Sequence, residues 1–469
     1  MRAIAFAGSG TAAEETRVNA QKIVNLYPVI EGAFARSGIT MVSTPGLKPY
    51  RNGPSGACRS NGTIFKGKAY FAHGQYLISI DQAGAMVTVG TLNTTAGRVV
   101  LDSSRTHVAL TDGVNGYYFD GTTFGVITDI DFPVCDWITC IRGFWVACQA
   151  GTDSFFVSTV DDPTSWAALG FASAERKPDA ARAVVANGNT LWVLGDTTIE
   201  VFVLTGNAYF PFEPATYIVI NWGVHAPHSI AQTSDSIYLL GKSQDGGFAV
   251  LELSFNSGMT VISSPDITAQ IEKLERDHDI SDAIGMCMFE RGSLFYVLTF
   301  PSADVTWVYD KNTKVWHERK SPGIGRWQVN GHVYLGGLHI VGDFADGQYY
   351  TLDKDYYLDG ALPIERLLRT GFIFDPEGKA LHHSYIEVEY APGVGLAYGD
   401  GADPVVRIRW SDDGGYTWSN GILLNIGKTG ERNVQVKARR LGMALMRVYE
   451  FLTVEPVPIT ILNAYVVVK

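Results

Sequence analysis

The chain is 469 residues long, 46% hydrophobic, 12% aromatic and 18% charged, a composition that buries a large core and excludes a disordered chain. Its 37 basic and 48 acidic residues give a formal charge of −11. All of that excess lies in residues 1–360, because residues 361–469 carry 12 of each sign. A tight duplex-DNA binder neutralises phosphates with clustered Lys and Arg, so the balance argues against one.

Arg2 is followed by only six residues, Ala3 to Gly8, before Glu14 and Glu15, too short a run for a secretory core. No stretch approaches 18 apolar residues, so no membrane span is expected. Gly8-Ser9-Gly10-Thr11-Ala12-Ala13 mimics a dinucleotide turn, with Glu31 about where a ribose-binding acid would sit. No alternation of strands and helices follows, so the crevice for such a cofactor is missing. Ala12 to Val24 looks helical. Residues 1–50, with Pro28, Pro45 and Gly46, read as an N-terminal arm.

A period then begins. A short apolar segment ends in a turn residue at Asp81, Asp120, Asp161, Thr205, Asn256, Asp310 and Asp353, near the blade length of four-stranded propeller repeats. Apolar and polar residues alternate around those turns, as in Val99-Val100-Leu101, His107 to Leu110 and Gly116 to Phe119. The 50 glycines suit many tight turns. The expectation is an all-β chain with a β-propeller over 51–360, of about seven blades with six possible; a β-sandwich with coincidental spacing is the alternative. A lone blade leaves both faces wet, so only ring closure stabilises it, and the closing strand could come from either end of the repeat. Asp266 to Asp279 reads as a helix capped by Asp266 and inserted between strands or blades.

After Asp359-Gly360 the period stops. Residues 361–469 read as a C-terminal, β-sandwich-like domain, with strands near Tyr385–Tyr390, Val405–Trp410, Val434–Ala438, Met446–Leu452 and Ile459–Val468. Ser411-Asp412-Asp413-Gly414-Gly415-Tyr416-Thr417-Trp418 fits S-x-D-x-G-x-T-W and resembles the Asp box of sialidases, expected to be a turn staple in which Asp413 holds backbone amides and Trp418 covers the hairpin. Gly421 to Thr429 approximates a phosphate loop with one residue too many. Lys437, Arg439, Arg440 and Arg447 form a basic group that could meet an acidic neighbour.

The remaining chemistry is sparse. Five cysteines without a CxxC pair, Cys58, Cys135, Cys140, Cys148 and Cys287, fit buried thiols made in a reducing cytosol. His225/His228, His382/His383 and Asp277-His278-Asp279 lack a further ligand at metal spacing. Asp129/Asp131 and Asp161/Asp162 read as turn residues rather than a glycosidase pair. No catalytic, cofactor-binding or metal-binding residue is therefore assigned, and no cofactor is expected.

One resemblance is carried by Asn25-Leu26-Tyr27-Pro28, Ser43-Thr44-Pro45-Gly46-Leu47, Gly151 to Ser158, Asp162-Pro163-Thr164-Ser165-Trp166, Phe171 to Glu175, Leu191 to Gly195 and Thr198 to Gly206. These resemble the packaged-DNA stabilisation, or tail-nozzle, proteins of short-tailed bacteriophages, most densely over residues 25–206. The resemblance implies a non-enzymatic component of the virion tail, made in the host cytoplasm. It would assemble as a ring of six copies below the portal and head-tail adaptor, contact tail fibre, spike or plug proteins, retain packaged DNA and conduct it out without binding it specifically. An acidic lumen would spare sliding DNA the drag of Lys and Arg contacts. A carbohydrate-binding or glycan-hydrolysing propeller is the rival, resting on the Asp box and the 10 tryptophans.

Overall fold

In the computed structural model, which describes residues 2–4, 10, 13, 16, 19–32, 38–174, 179–207, 210–254, 256 and 258–469, each of the seven period-setting turns follows the third strand of a blade. Blades 1 to 4 are four-stranded antiparallel sheets over 63–91, 100–126, 135–173 and 181–220. Blade 5 spans 222–261 with its inner strand split around a short 3-10 turn, blade 6 spans 284–318, and blade 7 has three strands of its own between Val329 and Asp353. The turn acids act as their chemistry demands: Asp81, Asp120, Asp310 and Asp353 each accept a backbone N–H two to four residues on, at 2.7–2.9 Å.

Among the described residues, seven of the eight hydrophobic clusters are contacts between neighbouring blades. Phe65, Tyr70, Leu110 and Tyr117 join blades 1 and 2; Val146, Phe155, Leu191 and Phe202 join blades 3 and 4; Cys58, Phe71, Ile340 and Tyr349 join blades 7 and 1. Each such side chain contributes roughly 1.5–3 kcal/mol by leaving water. The blades approach closely enough to require glycine. A Cβ on Gly285, in the inner strand of blade 6, would lie 1.8 Å from the Ser229 carbonyl of blade 5. The helix, Pro265–Asp277, lies between blades 5 and 6 and buries Ile267 and Ile271 against their shared core. Its N-cap is Ser264, whose hydroxyl accepts the Ile267 N–H, and not Asp266, which sits in the first turn.

Ring closure comes from the N-terminal side. Gly46–Asn52 pairs antiparallel with Gln348–Asp353 as the fourth strand of blade 7, so the boundary expected at 50/51 falls inside a strand. The boundary at 360/361 falls within the hairpin of Leu358–Asp359 and Leu362–Pro363, which extends the same sheet. Most of the helix expected over Ala12 to Val24 lies outside the described residues; Lys22–Val24 is a strand, paired antiparallel with Arg366–Arg369 and parallel with blade 6 at Glu318. β-branched Ile23 and Val24 favour that outcome, and both are buried.

The C-terminal residues form two sheets packed face to face. One joins Leu381–Tyr390, Thr460–Val468 and Val436–Arg439; the other joins Arg366–Arg369, Met446–Thr453, Val405–Ser411 and Ile422–Asn425. Arm strands complete the first sheet: Ile39–Ser43 pairs with Thr460–Val468, and Leu26–Ile30 pairs with Ile39–Ser43 at the edge. Lys22–Val24 links the second to blade 6, giving one ten-stranded sheet. Successive side chains of a strand point to opposite faces, and the arm uses both. Leu26 and Met41 enter the sandwich core, while Tyr27 and Val42 enter the core between blades 6 and 7.

Candidate functional site

The motifs that invite a catalytic assignment are structural. Asp413 accepts the Ser411 hydroxyl at 2.6 Å, the amides of Tyr416 and Thr417 at 3.0 and 2.9 Å, and the Thr417 hydroxyl, and these bonds hold its carboxyl below the usual range. Trp418 donates Nε1 to Gly415 and lies against the guanidinium groups of Arg369 and Arg409. Both arginines pair with Glu450, which is fully buried, at 2.9 and 2.5 Å. The Asp box thus braces an ion cluster around buried Glu450, with Asp413 bonded within its own hairpin and Trp418 laid over the two arginines.

Asp129 accepts the Asp131 and Trp166 amides, and Asp162 accepts the amide and hydroxyl of Thr164. Where the phosphate-loop mimic would cradle an anion, Lys428 instead pairs with Asp403 and its amide with Glu431. His225 faces Glu275 at 3.4 Å while His228 stacks on Trp137; His383 is buried against the Tyr449 hydroxyl while His382 is not. The helix ends before His278-Asp279, and Asp279 accepts the Ser281 amide. The five cysteines are unpaired as thiols, and burial raises the thiol pKa of each. Among the described residues no group of three or more His, Cys, Asp or Glu side chains is placed to hold a metal, and no helix is long and apolar enough to cross a membrane. Ala5 to Ser9, Thr11 and Ala12 of the dinucleotide mimic lie outside the described residues.

The basic group near the C-terminus does not hold together. Arg447 is buried and clamped to Asp412 at 2.6 and 2.8 Å, and Lys437 pairs with Glu387 at 2.9 Å over the Tyr385 ring. Arg439 and Arg440 are left exposed. Period two correctly puts Lys437 and Arg439 on one face, but a cross-strand carboxylate had already taken the lysine.

Among the described residues the inner strands line the propeller tunnel, a cavity of about 580 Å³ walled by Asp102, Trp137, Val185, Cys287 and His332 among others. The second feature is the arm's grip. Asn25, in the left-handed region at φ 52°, donates Nδ2 to the carbonyls of Lys320 and Glu365 at 2.9 and 2.8 Å, and its Oδ1 accepts the Lys320 amide. Its own carbonyl accepts the Thr44 amide. One buried side chain therefore ties arm, blade 6 and the sandwich entry, and Asn tolerates that backbone better than most residues.

Comparison with known families accounts for both parts of the chain. Residues 4–357 match the model described as "Bacteriophage P22 Gp10, beta-propeller", and residues 365–469 match "Bacteriophage P22 Gp10, beta-sandwich". The chain belongs to the phage P22 Gp10 family. A curated relative, the tail hub protein gp10 of Salmonella phage P22, is 28% identical over 203 residues, which are 39% of this chain and 41% of the relative. The match thus spans about two fifths of that relative's length. The family is one of phage tail structural proteins and not of enzymes. Among solved structures, the Neurospora crassa Pan2 WD40 domain aligns with 8% identity and a TM-score of 0.42, over 66% of this chain and 95% of that one. Kluyveromyces lactis Hsv2 aligns with 14% identity and a TM-score of 0.33, over 54% and 81%.

The family-like segments have structural work to do. In Asn25-Leu26-Tyr27-Pro28, Asn25 is the clasp while Leu26 and Tyr27 plug opposite cores. Gly46 must be glycine, because a Cβ there would lie 2.3 and 2.5 Å from the carbonyls of Tyr356 and Leu358. In Asp162-Pro163-Thr164-Ser165-Trp166 the turn aims Trp166 into the core between blades 2 and 3, with Nε1 donating to Pro163 at 2.7 Å. No sequence signal distinguished Asn25 as a clasp, since its three partners lie up to 340 residues away.

Proposed function

We propose that this chain is a tail hub or nozzle subunit that assembles as a ring, six copies by family resemblance, below the portal and head-tail adaptor of a short-tailed phage, retains packaged DNA and serves as its exit conduit. The observation that carries the reading is the pair of family matches, which covers the ring and the sandwich in the order found here. The dimensions of the tunnel support one refinement. At about 580 Å³ it has the volume of a small-molecule pocket, so the path for a duplex is the space enclosed between copies and not the hole within one propeller. We place the acidic excess of residues 1–360 along that enclosed lumen, where like charge keeps DNA sliding. The adaptor and the fibre, spike or plug proteins are its proposed partners, and the virion tail its proposed location.

Imaging of the intact particle tests this. The expected result is several copies of this propeller and sandwich around an axial channel wide enough for duplex DNA. A single copy per tail, or a lumen lined mainly by Lys and Arg, overturns the proposal.

A further inference from the structure

The propeller tunnel holds a cation that forms no ion pair among the described residues. Arg98 lies just before the first strand of blade 2 and lines the cavity. Among the described residues it makes one hydrogen bond, from Nη1 to the Asn330 carbonyl of blade 7 at 2.8 Å, and its Nε is buried without a partner. The groups near enough to act on its charge are Cys58, a thiol kept neutral by burial, and a second guanidinium, Arg59. Burial brings Arg98 down to about 10.

The carboxylate of the same cavity is no help. Asp102 already accepts the Ser103 and Cys140 amides at 2.7 and 2.8 Å and the Thr139 hydroxyl at 3.0 Å. His228 also lines the tunnel, close enough to feel the charge of Arg98, and its ring stacks on Trp137 with no hydrogen bond to any described residue. A guanidinium has five donors, and a charge taken from water costs several kcal/mol unless paired. Here it adjoins open space of ligand size.

We propose that the propeller tunnel binds a small oxyanion, a phosphate or carboxylate group, on the guanidinium of Arg98 with the imidazole of His228 as second donor. The planar fork of Arg suits the two oxygens of either group. The two sources, inorganic phosphate and a protein carboxylate, present the same chemistry and separate experimentally.

The test is calorimetric titration of the full chain with inorganic phosphate at constant ionic strength, with acetate in parallel, beside an NMR pH titration of His228. Saturable binding is expected, weakened about tenfold or more in Arg98→Gln, the size of a lost charge-assisted hydrogen bond. The bound anion should raise the His228 pKa by about one unit or more, against its present depression by burial and Arg98. His332 and Asp102, which also line the tunnel, are followed as internal references. Binding of phosphate alone identifies a phosphate site, and binding of acetate as well identifies a carboxylate site. Equal binding by Arg98→Gln, or a His228 titration unchanged by phosphate, which stays anionic where His228 titrates, overturns the proposal. The His228 measurement uses the native chain and decides the matter even if the variant does not fold.

Discussion

Blades 1 to 4 each take their strands from one unbroken stretch of chain, as in 63–91 or 100–126, whereas blades 6 and 7 and the C-terminal sandwich share strands drawn from the first 52 residues. The first kind of sheet closes through turns of a few residues, at a low loop entropy. The second needs Lys22–Val24, Ile39–Ser43 and Gly46–Asn52 to find partners some 300 to 400 residues away, with Leu26–Ile30 carried along as a hairpin on Ile39–Ser43. The difference shows where the molecule is vulnerable. A free blade is damaged locally, while damage to the arm reaches ring and sandwich together.

Two truncations separate those roles most sharply. Removing residues 1–52 takes away the closing strand, and cooperative thermal unfolding of the ring should be lost. Removing residues 1–45 spares Gly46–Asn52, so the ring should still melt cooperatively while the sandwich becomes sensitive to proteolysis. Equal behaviour of the two would break the comparison. Next in size are point changes that strike a single junction. Gly285→Ala should lower stability by about 3 kcal/mol or more, because its Cβ meets a backbone carbonyl that cannot step aside. Asn25→Ala should cost about 2–4 kcal/mol by chemical denaturation, since it orphans three backbone groups on two distant segments, at Lys320 and Glu365. An equal loss from an exposed turn acid in blades 1 to 4 would deny the arm its special place.

Acid should also act on both regions, though more gradually. Burial, and then a nearby cationic or titratable group, holds His228 and His332 at about 3 and His383 at about 4. The unfolded chain binds their protons near 6.5, so these groups stabilise the fold above that pH and the contribution is lost as pH falls toward 4. Each should remove about 1.4 kcal/mol per pH unit within that window, and His383→Phe should flatten the sandwich's share of the slope in melting experiments. The smallest effect belongs to the hairpin brace: Trp418→Ala should cost about 1–3 kcal/mol and leave the ring's own melting unchanged.

Much of this architecture was legible without coordinates. The seven turns recur because every blade repeats the same hairpin, and an Asp after an apolar strand has one favourable use there, accepting the amides just beyond it. The Asp box was equally transparent, since its bonds run within a few residues. The helix after Ser264 was visible from its three- and four-residue spacing, with its cap placed two positions late and its end two positions beyond Asp277. The N-terminal arm was harder. Its Ile, Val, Leu and Tyr residues carry no turn signal and no single polar face, because both faces are buried, each in a different core.

Local pattern therefore carried the all-β class, the repeat, the sandwich strands and the family-like segments, each of which is read from side-chain alternation or turn chemistry within one or two strands. The tertiary structure decided which strand closes the ring, why Asn25 and Gly46 stand where they do, that Lys437 and Arg447 are already paired, and that Arg98 is not. Those outcomes depend on pairings across hundreds of residues and on which charges share a buried space, and neither leaves a local pattern in the chain.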